Sequence, residues 1–156
     1  MEMFCYQCQE TVGNRGCTKR GVCGKTAETA ALQDLLIWAL KGLSYYGTKA
    51  RELEVVDPDA DLFVAEGLFN TITNASFDDD RFVQLVHEAL DYREGLRDRF
   101  RQKYLEVNGE IFAETVPEPA SWVPQTGDLD EFLLKGNSVG IMSDPDLDED
   151  VRSLRS

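Results

Sequence analysis

The chain has 156 residues, enough for one ordinary core, and its 42% hydrophobic and 29% charged content belongs to a globular protein. A formal charge of -13 argues against nucleic acid as a partner, and no apolar run reaches the roughly 18 residues that span a bilayer. Met1-Glu2-Met3-Phe4-Cys5 has neither the basic start nor the apolar stretch of a secretory signal, so the expected compartment is the cytoplasm, where thiols stay reduced.

The first segment, residues 1–25, holds all four cysteines, Cys5, Cys8, Cys17 and Cys23, spaced C-x2-C-x8-C-x5-C. Four thiolates on short irregular loops are the right count and type for one soft metal centre. The segment carries Arg15, Lys19, Arg20 and Lys25 against Glu2 and Glu10, a net +2, which leaves -15 for residues 26–156. A cube of iron and sulfur with four thiolates is net negative and gains from such cations; equally, four basic residues in 25 is an ordinary density.

A helix is expected from Thr26, as N-cap, to about Glu52, with Leu32, Leu35, Leu36, Ala39, Leu40 and Leu43 at helical spacing. Ile37 and Trp38 extend its apolar surface to nearly all sides, which predicts a central position. Asp57-Pro58 opens a second helix, expected to run to about Asn74 and to bury Leu62, Phe63, Leu68, Phe69 and Ile72. The third runs from about Asp79 to Val107, closed by Asn108-Gly109, with Phe82, Leu85, Val86, Ala89, Leu90, Leu96, Phe100 and Tyr104 inward. Its mixed charges, Arg93, Glu94, Arg97, Asp98 and Arg101, read as a solvated outer face.

Residues 110–127, with Pro117, Pro119 and Pro124, read as an extended wrap over the bundle. A short helix at about Leu129–Lys135 follows, then Ser138-Val139-Gly140-Ile141-Met142 as a short strand or buried turn. Glu149-Asp150 starts another helix that the chain leaves two turns long, which reads as a piece of a longer protein. The architecture expected is all-α, an up-down bundle of about three long helices with the cysteine loop at one end: residues 1–25 the cluster-binding loop and 26–156 the bundle, together one domain.

From spacing alone three readings of the cysteines stand. Structural zinc favours two C-x2-C knuckles, of which only Cys5 and Cys8 form one. A disulfide pair needs an oxidising compartment. An iron–sulfur cluster tolerates irregular spacing, and Gly13, Gly16, Gly21 and Gly24 let the loop fold around it.

The runs Met3-Phe4-Cys5-Tyr6-Gln7-Cys8-Gln9-Glu10-Thr11, Gly16-Cys17-Thr18 and Gly21-Val22-Cys23-Gly24-Lys25 closely resemble the start of the hybrid cluster proteins, the hydroxylamine reductases of the prismane family. The similarity continues through Leu32-Gln33-Asp34-Leu35-Leu36, Gly67-Leu68-Phe69, Thr71-Ile72-Thr73-Asn74-Ala75, Ser138-Val139-Gly140-Ile141 and Glu149-Asp150-Val151-Arg152-Ser153-Leu154-Arg155, so it covers the N-terminal portion of the family pattern. The resemblance implies a [4Fe-4S] cube on Cys5, Cys8, Cys17 and Cys23, the x2, x8, x5 spacing being that of the four-iron branch. It further implies that the cube passes electrons from a donor protein to a hybrid iron–sulfur–oxygen cluster in later domains, where hydroxylamine is reduced to ammonia, with links to nitric oxide and nitrosative stress. No cysteine follows Cys23, and His87, the only histidine, falls mid-helix as a structural or surface residue. Glu28, Glu66 and Glu88 have no evident partner set. This chain is therefore expected to hold the electron-transfer cluster and not to catalyse alone; the alternative is an interaction domain clasped by zinc.

Overall fold

A computed structural model describes residues 2–72, 77–144 and 146–155. Six α-helices are present among them, where a bundle of about three long helices had been expected from the sequence: α1 (Ala27–Arg51), α2 (Pro58–Ile72), α3 (Asp79–Asn108), α4 (Glu118–Ser121), α5 (Leu129–Val139) and α6 (Glu149–Arg155). Three of the six are the anticipated long ones. Of the other three, α5 and α6 fall where short helices were expected, and α4, in the proline-bearing connection, was not anticipated.

Local chemistry sets the ends of the long helices. Thr26 caps α1 by accepting the Thr29 N–H, Asp57 accepts the N–H groups of Asp59 and Ala60 ahead of α2, and Asp78 accepts from Arg81 at α3. Gly109 closes α3 at φ +73°, a left-handed conformation that suits glycine. The sequence-expected end of α2 near Asn74 lies outside the described residues.

The helices run up, down and up. Thr29 near the start of α1 donates to Asp79 at the start of α3 (2.7 Å), and Tyr46 meets Phe100 toward their other ends. α2 returns beside them, with Gly67 against Leu40 and the Phe63 ring near that of Tyr92. α1 is central, packing on α2, α3, α4 and α5, and contributes the fully enclosed Leu32, Leu35, Leu36 and Ala39.

Two expectations about helix faces are corrected. Of the five apolar side chains assigned to the buried side of α2, only Phe63 is enclosed; Leu62, Leu68, Phe69 and Ile72 are exposed. The helix packs instead through Ala60, Phe63, Gly67 and Thr71, because small residues let it lie close to Leu40 of α1. Arg93 is not on a solvated face. It is 1% exposed, gives Nη1 to the Pro119 carbonyl (2.9 Å) and Nε and Nη2 to Glu94, so its charge is buried but matched.

The proline-rich connection is not wholly extended, since α4 adds a helical turn that seats Ala120 in the core, beside a partly buried Trp122. The anticipated strand or turn at 138–142 is resolved as the end of α5 followed by a turn, with Ser143 N–H closing on the Gly140 carbonyl. Glu131 organises the entry to α5 by accepting the N–H groups of Gln125, Thr126 and Gly127 and the Thr126 hydroxyl, which hold its carboxyl down at about 2. His87 is structural, its Nε2 2.8 Å from the Gly127 carbonyl and its ring against Phe132. Among the described residues no helix is long and apolar enough to cross a membrane.

Candidate metal centre

The cysteine loop is closed on itself by a two-residue ladder. Cys5 and Cys17 face each other in an antiparallel bridge, Cys5 N–H donating to the Cys17 carbonyl (3.1 Å) and Cys17 N–H to the Cys5 carbonyl (2.9 Å). A 3-10 turn at Val12–Asn14 reverses the chain between them. Gly16 sits at φ +123° with the Phe4 ring 2.7 Å from where a Cβ would stand, so glycine there lets the aromatic lie flat on the loop. Gly21 plays the corresponding role for Cys23, whose Sγ is 2.9 Å from the position of a Cβ.

All four thiols are free: Cys17 is buried, Cys5 and Cys8 partly so, and Cys23 is exposed. The sequence-assigned ligands therefore share one loop, two of them paired by backbone hydrogen bonds. Among the described residues no three His, Cys, Asp or Glu side chains converge closely enough to hold a single metal ion.

The polar groups around the sulfurs are donors. Thr11 Oγ1 donates to the Cys5 carbonyl (3.2 Å) and lies 3.7 Å from Cys17 Sγ. Burial pushes the Cys17 thiol up, but the N–H groups of Val12 and Val22, the Thr11 hydroxyl and the Lys25 charge outweigh it and hold the thiol below its ordinary value. Lys25, 3% exposed, donates from Nζ to Gln7 Oε1 (2.8 Å) and to Cys5 Sγ (3.7 Å). A loop that aims ammonium and amide donors at sulfur is suited to thiolates, and thiolates to a soft, net-anionic group. The donor set thus fits the iron–sulfur cluster that the resemblance implies.

A profile of the Prismane/CO dehydrogenase family matches residues 3–156. The chain belongs to that family. It is 53% identical to a hydroxylamine reductase of Petrotoga mobilis over 156 residues, all of this chain and 28% of that relative. It is 52% identical to a hydroxylamine reductase of Nitratidesulfovibrio vulgaris over 153 residues, 98% of this chain and 27% of the relative, and 49% identical to one of Halothermothrix orenii over 155 residues, 99% and 27%. The chain spans little more than a quarter of the length of these relatives and matches their N-terminal portion.

Beside the cysteines of this prismane-family chain lies a cleft of about 350 Å³, bounded by Cys5 and Lys25 of the loop, by Gln33, Asp34 and Lys41 of α1, and by the turn after α5. Asp34 Oδ2 accepts the Ile141 N–H (2.9 Å). Burial pushes the Asp34 carboxyl up to about 6, against the pull of the Ile141 N–H, Lys25 and Lys41. Gln33 Nε2 is enclosed and has no hydrogen-bond partner among the described residues.

Sequence reasoning gave no role to Thr11, Gln33 or Asp34, and counted Lys25 only toward net charge. The available signal was a polar pair, Gln33-Asp34, inside an otherwise apolar helical run.

Asp34 makes stability depend on pH. Its carboxyl keeps a proton to about 6 in the folded chain and releases it near 3.8 when unfolded. The contribution is therefore complete below the unfolded value and is lost as pH rises through 6. Asp34→Asn, which keeps an acceptor for Ile141, is expected to raise stability by about 1–2 kcal/mol at pH 7.5 and to change it little near pH 4. Urea denaturation at the two pH values measures the difference.

Proposed function

We propose that residues 1–25 hold a [4Fe-4S] cluster on Cys5, Cys8, Cys17 and Cys23, and that the chain is the electron-transfer module of a hydroxylamine reductase. The observation that carries this reading is the buried Lys25 ammonium beside Cys5 Sγ, on a loop that carries four free thiols. A four-thiolate cube, when bound, supplies a one-electron carrier.

The chain's own residues do the rest. The Cys5–Cys17 ladder fixes two ligands relative to each other, and Phe4, 5% exposed, covers the loop on its inner side. Thr11 and the N–H groups of Val12 and Val22 stabilise charge on the Cys17 sulfur. The bundle of residues 26–156 is the platform on which this loop is mounted.

In the whole protein, electrons from a donor protein would pass through this module to a hybrid iron–sulfur–oxygen cluster in the remaining domains. Two of them, with two protons, convert hydroxylamine to ammonia and water; nitric oxide is a further candidate substrate. The exposed Leu62, Leu68, Phe69 and Ile72 on α2 offer apolar surface that further domains would cover. The setting proposed is the cytoplasm.

The deciding experiment is iron, acid-labile sulfide and zinc content of the chain purified without oxygen. Four irons and four sulfides per chain are expected. One zinc with no sulfide would make the loop a structural clasp and end the redox reading.

A further inference from the structure

We infer that Lys25 sets the electron affinity of the N-terminal cluster by holding a buried positive charge against the Cys5 sulfur. The inference rests on the proposed cube and names the side chain that tunes it.

Three observations carry it. First, Lys25 is 3% exposed, and a buried ammonium without an anion is costly. Second, the ion pairs among the described residues employ Lys49, Arg51, Arg81, Arg93, Arg97, Arg99, Lys103 and Lys135, and none employs Lys25. Its strongest partner is the neutral Gln7 amide, which fixes the ammonium without cancelling its charge. Third, the anion-forming atom that Nζ reaches is Cys5 Sγ. The one carboxylate sharing the cleft, Asp34, turns Oδ2 to the Ile141 N–H and forms no ion pair with Lys25.

The chemistry follows from charge. Taking up an electron makes a four-thiolate cube more negative, so a fixed cation at one ligand stabilises the reduced form more than the oxidised one. Because the ammonium is buried and anchored, solvent screens it weakly. Arg15, Lys19 and Arg20 on the same loop are exposed, where screening removes most of their effect.

The test is an anaerobic redox titration of the chain reconstituted with iron and sulfide, followed by electron paramagnetic resonance, on wild type, Lys25→Met, Lys25→Arg and Gln7→Leu. Lys25→Met is expected to keep four irons per chain and become at least tenfold harder to reduce, which is about 59 mV for a one-electron couple. Lys25→Arg, which keeps the charge, is expected to stay within threefold of wild type; a purely space-filling lysine would instead be served better by methionine. A fully loaded Lys25→Met whose potential moves less than threefold overturns the inference and leaves the cube standing. If Lys25→Met takes up no cube, Gln7→Leu decides: releasing the ammonium from its anchor should shift the potential in the same direction by a smaller factor, and an unchanged potential overturns the inference. Wild type without iron and sulfide overturns the cube itself, and with it the role of Lys25.

Discussion

Replacing Cys17 with serine is expected to strip the chain of the proposed four-iron centre while leaving the bundle folded. Cys17 is 4% exposed and tied to Cys5 through both backbone hydrogen bonds of the bridge, so its sulfur cannot be replaced by a swing of a neighbouring loop. Serine offers a harder and less acidic donor at a position whose surrounding N–H and O–H groups are arranged for a thiolate. The side chain packs in a small satellite cluster with Met3 and Ala27, apart from the main core, and this is why helicity should survive. Iron content should fall to under a quarter of wild type, with the circular dichroism of the helices unchanged. A four-iron spectrum of full intensity in Cys17→Ser would refute the assignment of this ligand.

The second large effect is expected in the core. Gly42 lies where α1 passes the start of α4, and a Cβ there would overlap the Pro119 carbonyl oxygen and stand 3.0 Å from the Ala120 nitrogen. Both obstacles are backbone, which cannot rotate away. The same carbonyl accepts the hydrogen bond from Arg93 Nη1, so pushing it aside leaves a buried guanidinium short of a partner. Overpacking costs about 1–3 kcal/mol and the weakened charged hydrogen bond a similar amount, against a helix-propensity gain of about 1 kcal/mol for alanine. Gly42→Ala should therefore destabilise the chain by about 3 kcal/mol, lowering Tm by roughly 10 °C at this size. Gly95→Ala is the control: its Cβ would meet nothing, and the same propensity gain should raise stability slightly. Thermal melts of the two variants compare the same chemical change in a closed and an open place.

What the sequence disclosed and what it hid divide along distance in the chain. Thr26, Asp57 and Asn108-Gly109 mark helix ends through groups a few residues away, and the long helices begin and end where those signals stand. The inward stripe of α3 was legible for the same reason, as was the structural role of His87. Arg93 was not, because its acceptor is a carbonyl 26 residues later and nothing near position 93 announces it. The buried side of α2 misled because hydrophobicity named the large residues, whereas the approach of α1 selects the small ones, Ala60 and Gly67. At the candidate metal centre, the sequence showed four thiols on one short segment, and their spacing alone left cluster, zinc and disulfide open. The pairing of Cys5 with Cys17 and the aim of Lys25 exist only once the loop is folded.

The bond from the Ile141 N–H to Asp34 joins positions 107 residues apart. On a growing chain the cysteine loop and the first turns of α1 are complete long before the turn that walls the cleft has been made. At ordinary synthesis rates of about 5–20 residues per second, the interval is roughly 5 to 20 s. Through that interval the loop is open on the side that α5 and its following turn later occupy. Delivery of iron and sulfide during translation would meet an unwalled loop, whereas delivery to the finished chain would meet one walled on that side.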